Sequence, residues 1–173
     1  MDILVSSNLE RLLYLLSGDD KLIADLMKQL SENGEYEVPA DMLEKLHELF
    51  WAGFCDDEGA KTAIGKVWKD DHYLCDTHTA VAYHVLDDYR RETGDTTPSV
   101  VVSTASPFKF CDQVLRGIGG TADAFGPALI RRLSCETQID APAPLTGLDA
   151  RPVRFGGCVD KAQMLHTVDE FLK

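Results

Sequence analysis

Apolar residues in the first half of the chain recur at three- and four-residue spacing, which predicts a run of amphipathic helices. Leu12, Leu13, Leu15 and Leu16 belong to a first helix, started by the capping-box spacing Ser7-Asn8-Leu9-Glu10 and stopped near Gly18. Asp19 or Asp20 caps a second, with Leu22, Ile23, Leu26, Met27 and Leu30 on one face and Gly34 at its end. Pro39 begins a third through Leu43, Leu46, Leu49 and Phe50, and Asp56 or Asp57 opens a fourth through Ala60, Ile64, Val67 and Trp68. The pattern predicts that these four pack together as antiparallel helices. A fifth starts at Asp76 or Thr77 and runs through Ala80, Val81, His84, Val85 and Tyr89 to Gly94.

Other stretches break the helical period. Ile3-Leu4-Val5 is a short apolar run that reads as a strand, and Ser99-Val100-Val101-Val102-Ser103 has the β-branched, non-alternating character of a strand buried on both faces of a parallel sheet. Pro107 suits the first position of a helix that carries Val114, Leu115 and Ile118 to the glycines 117, 119 and 120; Ala124 to Leu133 reads as another. Arg151-Pro152-Val153-Arg154-Phe155 reads as a short edge strand. Asp160 with Gln163 forms a second capping box before Met164, Leu165, Val168, Phe171 and Leu172. The expected fold class is α/β: a helix-rich, partial three-layer α/β/α domain with a short, mostly parallel sheet. Two or three strands against seven or eight helices is too few for a complete α/β domain.

Composition narrows the function classes. A chain of 173 residues, 45% hydrophobic and 27% charged, buries a core as one domain without disulfide or metal. A net charge of −12, with basic residues scattered apart from Arg90-Arg91 and Arg131-Arg132, argues against nucleic acid and anionic membranes as partners. Cys55, Cys75, Cys111, Cys135 and Cys158 are odd in number and widely spaced, which fits free thiols in a reducing compartment, the cytoplasm. The N-terminal residues lack a basic, then apolar, leader pattern, and no apolar run approaches bilayer length.

Candidate chemistry gathers at element ends. Thr104 falls at the carboxyl end of the Val-rich strand, where open α/β sheets bind ligands; by residue type and position alone, Thr104 and Ser106 read first as caps of the next helix. His78 stands in a first helical turn whose unpaired N–H groups suit an anion, or in which Asp76 or Thr77 is simply the cap. Ser6, Ser7, Asn8 and Arg11, at the first strand–helix junction, suit a phosphate or form a capping box with a surface ion pair. His72, Cys75 and His78 are spaced His-x-x-Cys-x-x-His, a hint of zinc or thiol chemistry without a second ligand pair. The glycines 117–120 follow a helix, not a strand, and read as a connection, not as a phosphate cradle.

Three segments, Ser6-Ser7-Asn8-Leu9-Glu10-Arg11, Asp76-Thr77-His78-Thr79-Ala80-Val81 and Ser103-Thr104-Ala105-Ser106-Pro107-Phe108-Lys109-Phe110, resemble the C-terminal portion of pyridoxal-phosphate-dependent threonine synthases, enzymes of fold type II. The chain departs from that pattern at Thr77, where relatives carry Pro. The resemblance implies that Thr104 gives its hydroxyl to the cofactor ring nitrogen, with Ser103 and Ser106 beside it. It implies substrate contacts from His78, Thr79, Ser7, Asn8 and Arg11, with no catalytic residue and no metal in this segment. The implied activity is that of a lyase making L-threonine and phosphate from O-phospho-L-homoserine and water. The Schiff-base lysine and the phosphate-binding loop of the family precede everything present here, and Lys109 is not their counterpart, so the segment alone is expected to be inactive. Residues 1–95 would be a helical region led by a short strand, and 96–173 a strand–helix region completing the cofactor site, together one C-terminal segment. Its partner would be the missing N-terminal half, and an apolar face left uncovered would drive self-association. The rival expectations are an interaction or regulatory module of the same fold, and a small metal or thiol enzyme using His72, Cys75 and His78.

Overall fold

The computed structural model describes residues 5–154 and 156–173. It is built of helices: α1 (Ser7–Ser17), α2 (Asp20–Asn33), α3 (Ala40–Leu49), α4 (Asp57–Asp71), α5 (Thr77–Thr93), α6 (Cys111–Gly117), α7 (Pro127–Thr137) and α8 (Met164–Phe171), with short 3-10 turns at Pro107–Lys109, Leu148–Ala150 and Lys161–Gln163.

Most helix ends follow local chemistry. Asp19 caps α2 through the N–H groups of Lys21 and Leu22, and Asp56 caps α4 through that of Gly59. Gly18, Gly34 and Gly94 close α1, α2 and α5 with φ near +65 to +80°, and each N–H bonds back to a carbonyl of the last turn. The cap of α1 is Ser6, which accepts from Leu9 N, so the expected box at Ser7 is displaced by one residue. Asp160 makes no side-chain cap, because a 3-10 turn stands between it and α8. The helix expected from Pro107 is a 3-10 turn followed by α6, and that expected from Ala124 begins at Pro127.

Two apolar clusters organise the chain. Leu13, Ile23, Leu26 and Met42 join α1, α2 and α3. A larger one takes Ile64 and Val67 from α4, Ala80 from α5, Val114 and Leu115 from α6, and Leu129 and Leu133 from α7. The expected packing of the first four helices is therefore corrected: the buried face of α4 is spent on α5 and α6. The crossing of α4 and α6 is set by glycine. A Cβ on Gly65 would lie 2.6 Å from the Gly117 carbonyl oxygen, and one on Gly117 would lie 2.8 Å from Ile64 Cβ.

The expected α/β class is overturned, since no described residue lies in a strand and the described residues form no sheet. The Val-rich segment 99–103 is not helical, but a strand exists only as one side of a hydrogen-bonded ladder and this segment has no partner among the described residues. Instead it runs beside α5. The Arg90 guanidinium donates to Ser99 Oγ at 3.3 Å near the end of α5, and Ser103 Oγ meets Thr79 Oγ1 at 3.2 Å near its start. Thr79 and Arg90 are about three turns, about 16 Å, apart on one helix face, roughly the span of the segment. Val100 and Val102, 90% and 70% exposed, stand on its outer side, so the burial expected on both faces is also absent. Residues 151–154 form no strand; Phe155, with the Ile3-Leu4 part of the first expected strand, lies outside the described residues.

Candidate functional site

The start of α5 brings two of the sequence segments together. Asp76, its N-cap, is fully buried. Its Oδ1 accepts from the backbone N–H of His78 at 2.8 Å and of Thr79 at 3.3 Å, and lies 3.2 Å from His78 Nδ1. Its Oδ2 accepts from the Thr79 hydroxyl at 2.5 Å. Burial pushes this carboxyl's pKa up, but the hydrogen bonds from Thr79 and His78 together outweigh it, and the group titrates below its ordinary value of 3.8. It is a carboxylate at neutral pH. Thr79 Oγ1 is also 3.2 Å from Ser103 Oγ, and Ser103 Oγ accepts from the Tyr73 hydroxyl at 2.9 Å. The His78 ring stands edge-on to Phe110, centroids 5.1 Å apart. Thus Tyr73, Asp76, His78, Thr79, Ser103 and Phe110 form one group drawn from the loop before α5, its first turn and the segments on either side of Pro107.

Thr104 follows the anchored Ser103 and is exposed, and its side chain makes no hydrogen bond to the described residues. It caps nothing. Ser106 does cap, accepting from Phe108 N at 3.3 Å over the 3-10 turn. The two hydroxyls that sequence treats alike therefore part in structure: one is used locally, the other presented outward. His78, with a side chain one-third exposed, offers its ring to solvent. The N–H groups of His78 and Thr79, which the sequence offered to an anion, are instead taken up by Asp76.

Ser7, Asn8 and Arg11 are elsewhere. Arg11 donates to Asn8 within α1, and Ser7 and Arg11 line a shallow concavity between α1 and α2 with Tyr14 and Asp20. No hydrogen bond among the described residues links them to the Asp76–Ser103 group. His72 closes α4 in the left-handed conformation at φ 53°, exposed, while Cys75 is buried and its thiol is pushed up to about 11, by burial first and then by Asp76. Among the described residues, no three His, Cys, Asp or Glu side chains converge as a metal site. Lys109 lies on the exposed side of the 3-10 turn.

Sequence reasoning passed over Tyr73 and Phe110 and read Asp76 only as a cap. For Asp76 the signal was present, because a cap followed by Thr three residues on offers the carboxylate both a hydroxyl and the N–H groups. For Tyr73 there was none, since its partner lies thirty residues away.

A family model described as threonine synthase, C-terminal, matches residues 79–170, a span that contains Thr79, Ser103, Thr104 and Ser106. The threonine synthase of Pseudomonas aeruginosa is 35% identical over 121 residues, 69% of this chain and 25% of that protein. Threonine synthase-like 1 of Homo sapiens is 34% identical over 119 residues, 68% of this chain and 16% of that protein. Among solved structures, PLP-bound threonine synthase from Brucella melitensis matches with TM-score 0.58 and 33% identity over 80% of this chain and 28% of that one. Yeast threonine synthase matches in fold with TM-score 0.74 and 24% identity, over 99% of this chain and 35% of that one. The chain thus spans about a quarter or less of the curated relatives it matches.

Proposed function

From the fact that this chain belongs to the family of threonine synthase C-terminal regions, we propose that it is one C-terminal segment, residues 1–173, of a pyridoxal-phosphate-dependent enzyme. The reaction is conversion of O-phospho-L-homoserine and water to L-threonine and phosphate, in the cytoplasm. Among the described residues, no helix is long and apolar enough to cross a membrane.

The observation that carries this reading is the outward hydroxyl of Thr104 beside the pinned Ser103. The residues present fit the ring-nitrogen end of pyridoxal phosphate. The nearby carboxylate, Asp76, is buried and saturated by donors, so the group presented outward is a neutral hydroxyl. The bound cofactor supplies an electron sink for charge developing on the substrate carbons. Thr104 would donate to its ring nitrogen. A neutral donor leaves that nitrogen largely unprotonated, which suits elimination and replacement at the β and γ carbons over transamination. Ser103 and Ser106 hold the backbone on either side. His78, through its ring, would meet the substrate end, with Thr79 behind it; Ser7, Asn8 and Arg11 would reach substrate only through a second surface. The covalent attachment of cofactor and the loop for its phosphate would come from an N-terminal portion, so the segment alone would be inactive.

The test has two arms. In an enzyme carrying this segment, Thr104→Ala should lower kcat/KM for phosphate release about fivefold, the worth of one net hydrogen bond of about 1 kcal/mol, and move the absorbance of bound cofactor. In the isolated chain, pyridoxal phosphate should give no stable covalent adduct. A borohydride-trapped adduct at Lys109 would overturn the division of labour. Phosphate release and cofactor binding that are absent from the whole enzyme would favour the non-catalytic interaction module instead.

A further inference from the structure

Resting on the reading of Thr104 above, the direction of the hydrogen bonds around α5 carries a further step. The Thr79 hydroxyl has one proton, and its 2.5 Å contact with Asp76 Oδ2 takes it, because a carboxylate has none to give. The 3.2 Å contact between Thr79 Oγ1 and Ser103 Oγ must then be donated by Ser103. With the Ser103 proton spent, its oxygen accepts the Tyr73 O–H at 2.9 Å. Every proton is assigned: Tyr73 to Ser103, Ser103 to Thr79, Thr79 to Asp76. The chain ends at a buried charge, which fixes its direction.

This arrangement has a geometric consequence. Ser103 is held from two sides toward α5, and successive side chains of an extended segment point to opposite faces. Thr104 is thereby turned outward, on the side that also exposes Val102 and Val100. Without the Thr79 hydroxyl, Ser103 loses its acceptor and keeps only Tyr73, an exposed side chain at the open end of the chain of hydroxyls.

We propose that Thr79, oriented by Asp76, is a positioning residue: acting through Ser103, it aims the Thr104 hydroxyl at the ring nitrogen of the cofactor. Thr79 touches neither cofactor nor reacting atoms in this role.

The test compares Thr79→Val, Thr79→Ser and Tyr73→Phe, first in the isolated 173-residue chain by NMR relaxation of the backbone amide nitrogens. Thr79→Val should drop the order parameters of Ser103, Thr104 and Ala105, whose N–H groups make no backbone hydrogen bond among the described residues, into the flexible range below about 0.6, with those of α4 and α6 unchanged; Thr79→Ser should restore them. Tyr73→Phe, on the surface, keeps the fold and should lower the same three order parameters by less. In the enzyme carrying this segment, Thr79→Val should shift the absorbance of bound pyridoxal phosphate in the same sense as Thr104→Ala and lower kcat more than it raises KM. Thr79→Ser should return both. Order parameters at 103–105 that are indifferent to Thr79→Val overturn the proposal whatever the reaction. A cofactor spectrum that responds to Thr104→Ala and not to Thr79→Val overturns the positioning role while leaving the functional reading standing. A spectrum indifferent to Thr104→Ala removes the functional reading, and the positioning role with it, even where the order parameters have changed.

Discussion

Replacing Gly65 by Ala puts the packing of the site's support to a direct test. The residue sits inside α4, where Ala is the better helix former by about 1 kcal/mol, so propensity alone predicts a more stable protein. Tertiary contact predicts the opposite. The added Cβ would lie 2.6 Å from the carbonyl oxygen of Gly117, a backbone atom at the end of α6. It cannot swing aside as a side chain would: α6 is anchored by Val114 and Leu115, both fully buried, and its N-cap Phe110 packs on His78. Overpacking of this kind costs about 1–3 kcal/mol, and a rigid backbone neighbour places this case in the upper part of that range, so the net destabilisation is about 1–2 kcal/mol. For a chain of this size that is about 2–8 °C in Tm. Gly156→Ala, where a Cβ meets nothing within 4 Å, is the control and should leave Tm unchanged. Urea and thermal unfolding of the purified chain measure both. A Gly65→Ala protein as stable as the parent, or more so, would refute the close crossing of α4 and α6.

Three further outcomes follow from the same geometry. Because the folded-state pKa of Asp76 is depressed, its stabilisation is fully present above the ordinary value of 3.8 and is lost as pH falls through the folded value. Tm should therefore drop on acidification below about pH 4, and Asp76→Asn should flatten that limb while costing about 1.5–3 kcal/mol at neutral pH; an unchanged acid limb in the variant would count against this role. At pH 8, Cys135 and Cys158, both exposed, should react promptly with an aromatic disulfide reagent. Cys75 and Cys111, buried and pushed up to about 11 chiefly by burial, should react only after unfolding, and prompt labelling of either would contradict their placement. Finally, Leu165 and Val168 of α8, Leu172 at its end, and Val100 and Val102 of the extended segment are all exposed apolar side chains, so the isolated chain should self-associate as concentration rises. Light scattering that stays monomeric at high concentration would exclude this.

What the sequence determined by itself was local. The stops at Gly18, Gly34 and Gly94 were readable, and the caps were narrowed to Asp19 or Asp20, Asp56 or Asp57 and Asp76 or Thr77, because each depends on bonds spanning two to four residues. The family, too, was legible, in the short runs around His78 and Thr104, and the match over residues 79–170 agrees with it. Where a local signal failed, a competing turn had won: Asp160 has the spacing of a cap, but the 3-10 turn at 161–163 separates it from α8.

Only the tertiary structure decided the rest. Val100-Val101-Val102 has the composition of a buried strand, yet composition states a preference and a ladder requires a second strand; with none among the described residues, the segment is tied to α5 through Arg90 and Thr79 instead. The difference between Thr104, turned outward, and Ser106, spent on a cap, is likewise invisible in residue type. Tyr73 and Ser103 meet at 2.9 Å across thirty residues of chain. Such a contact exists because α4, α5 and α6 share one core that brings distant segments to the same place, and no spacing rule along the chain encodes that meeting.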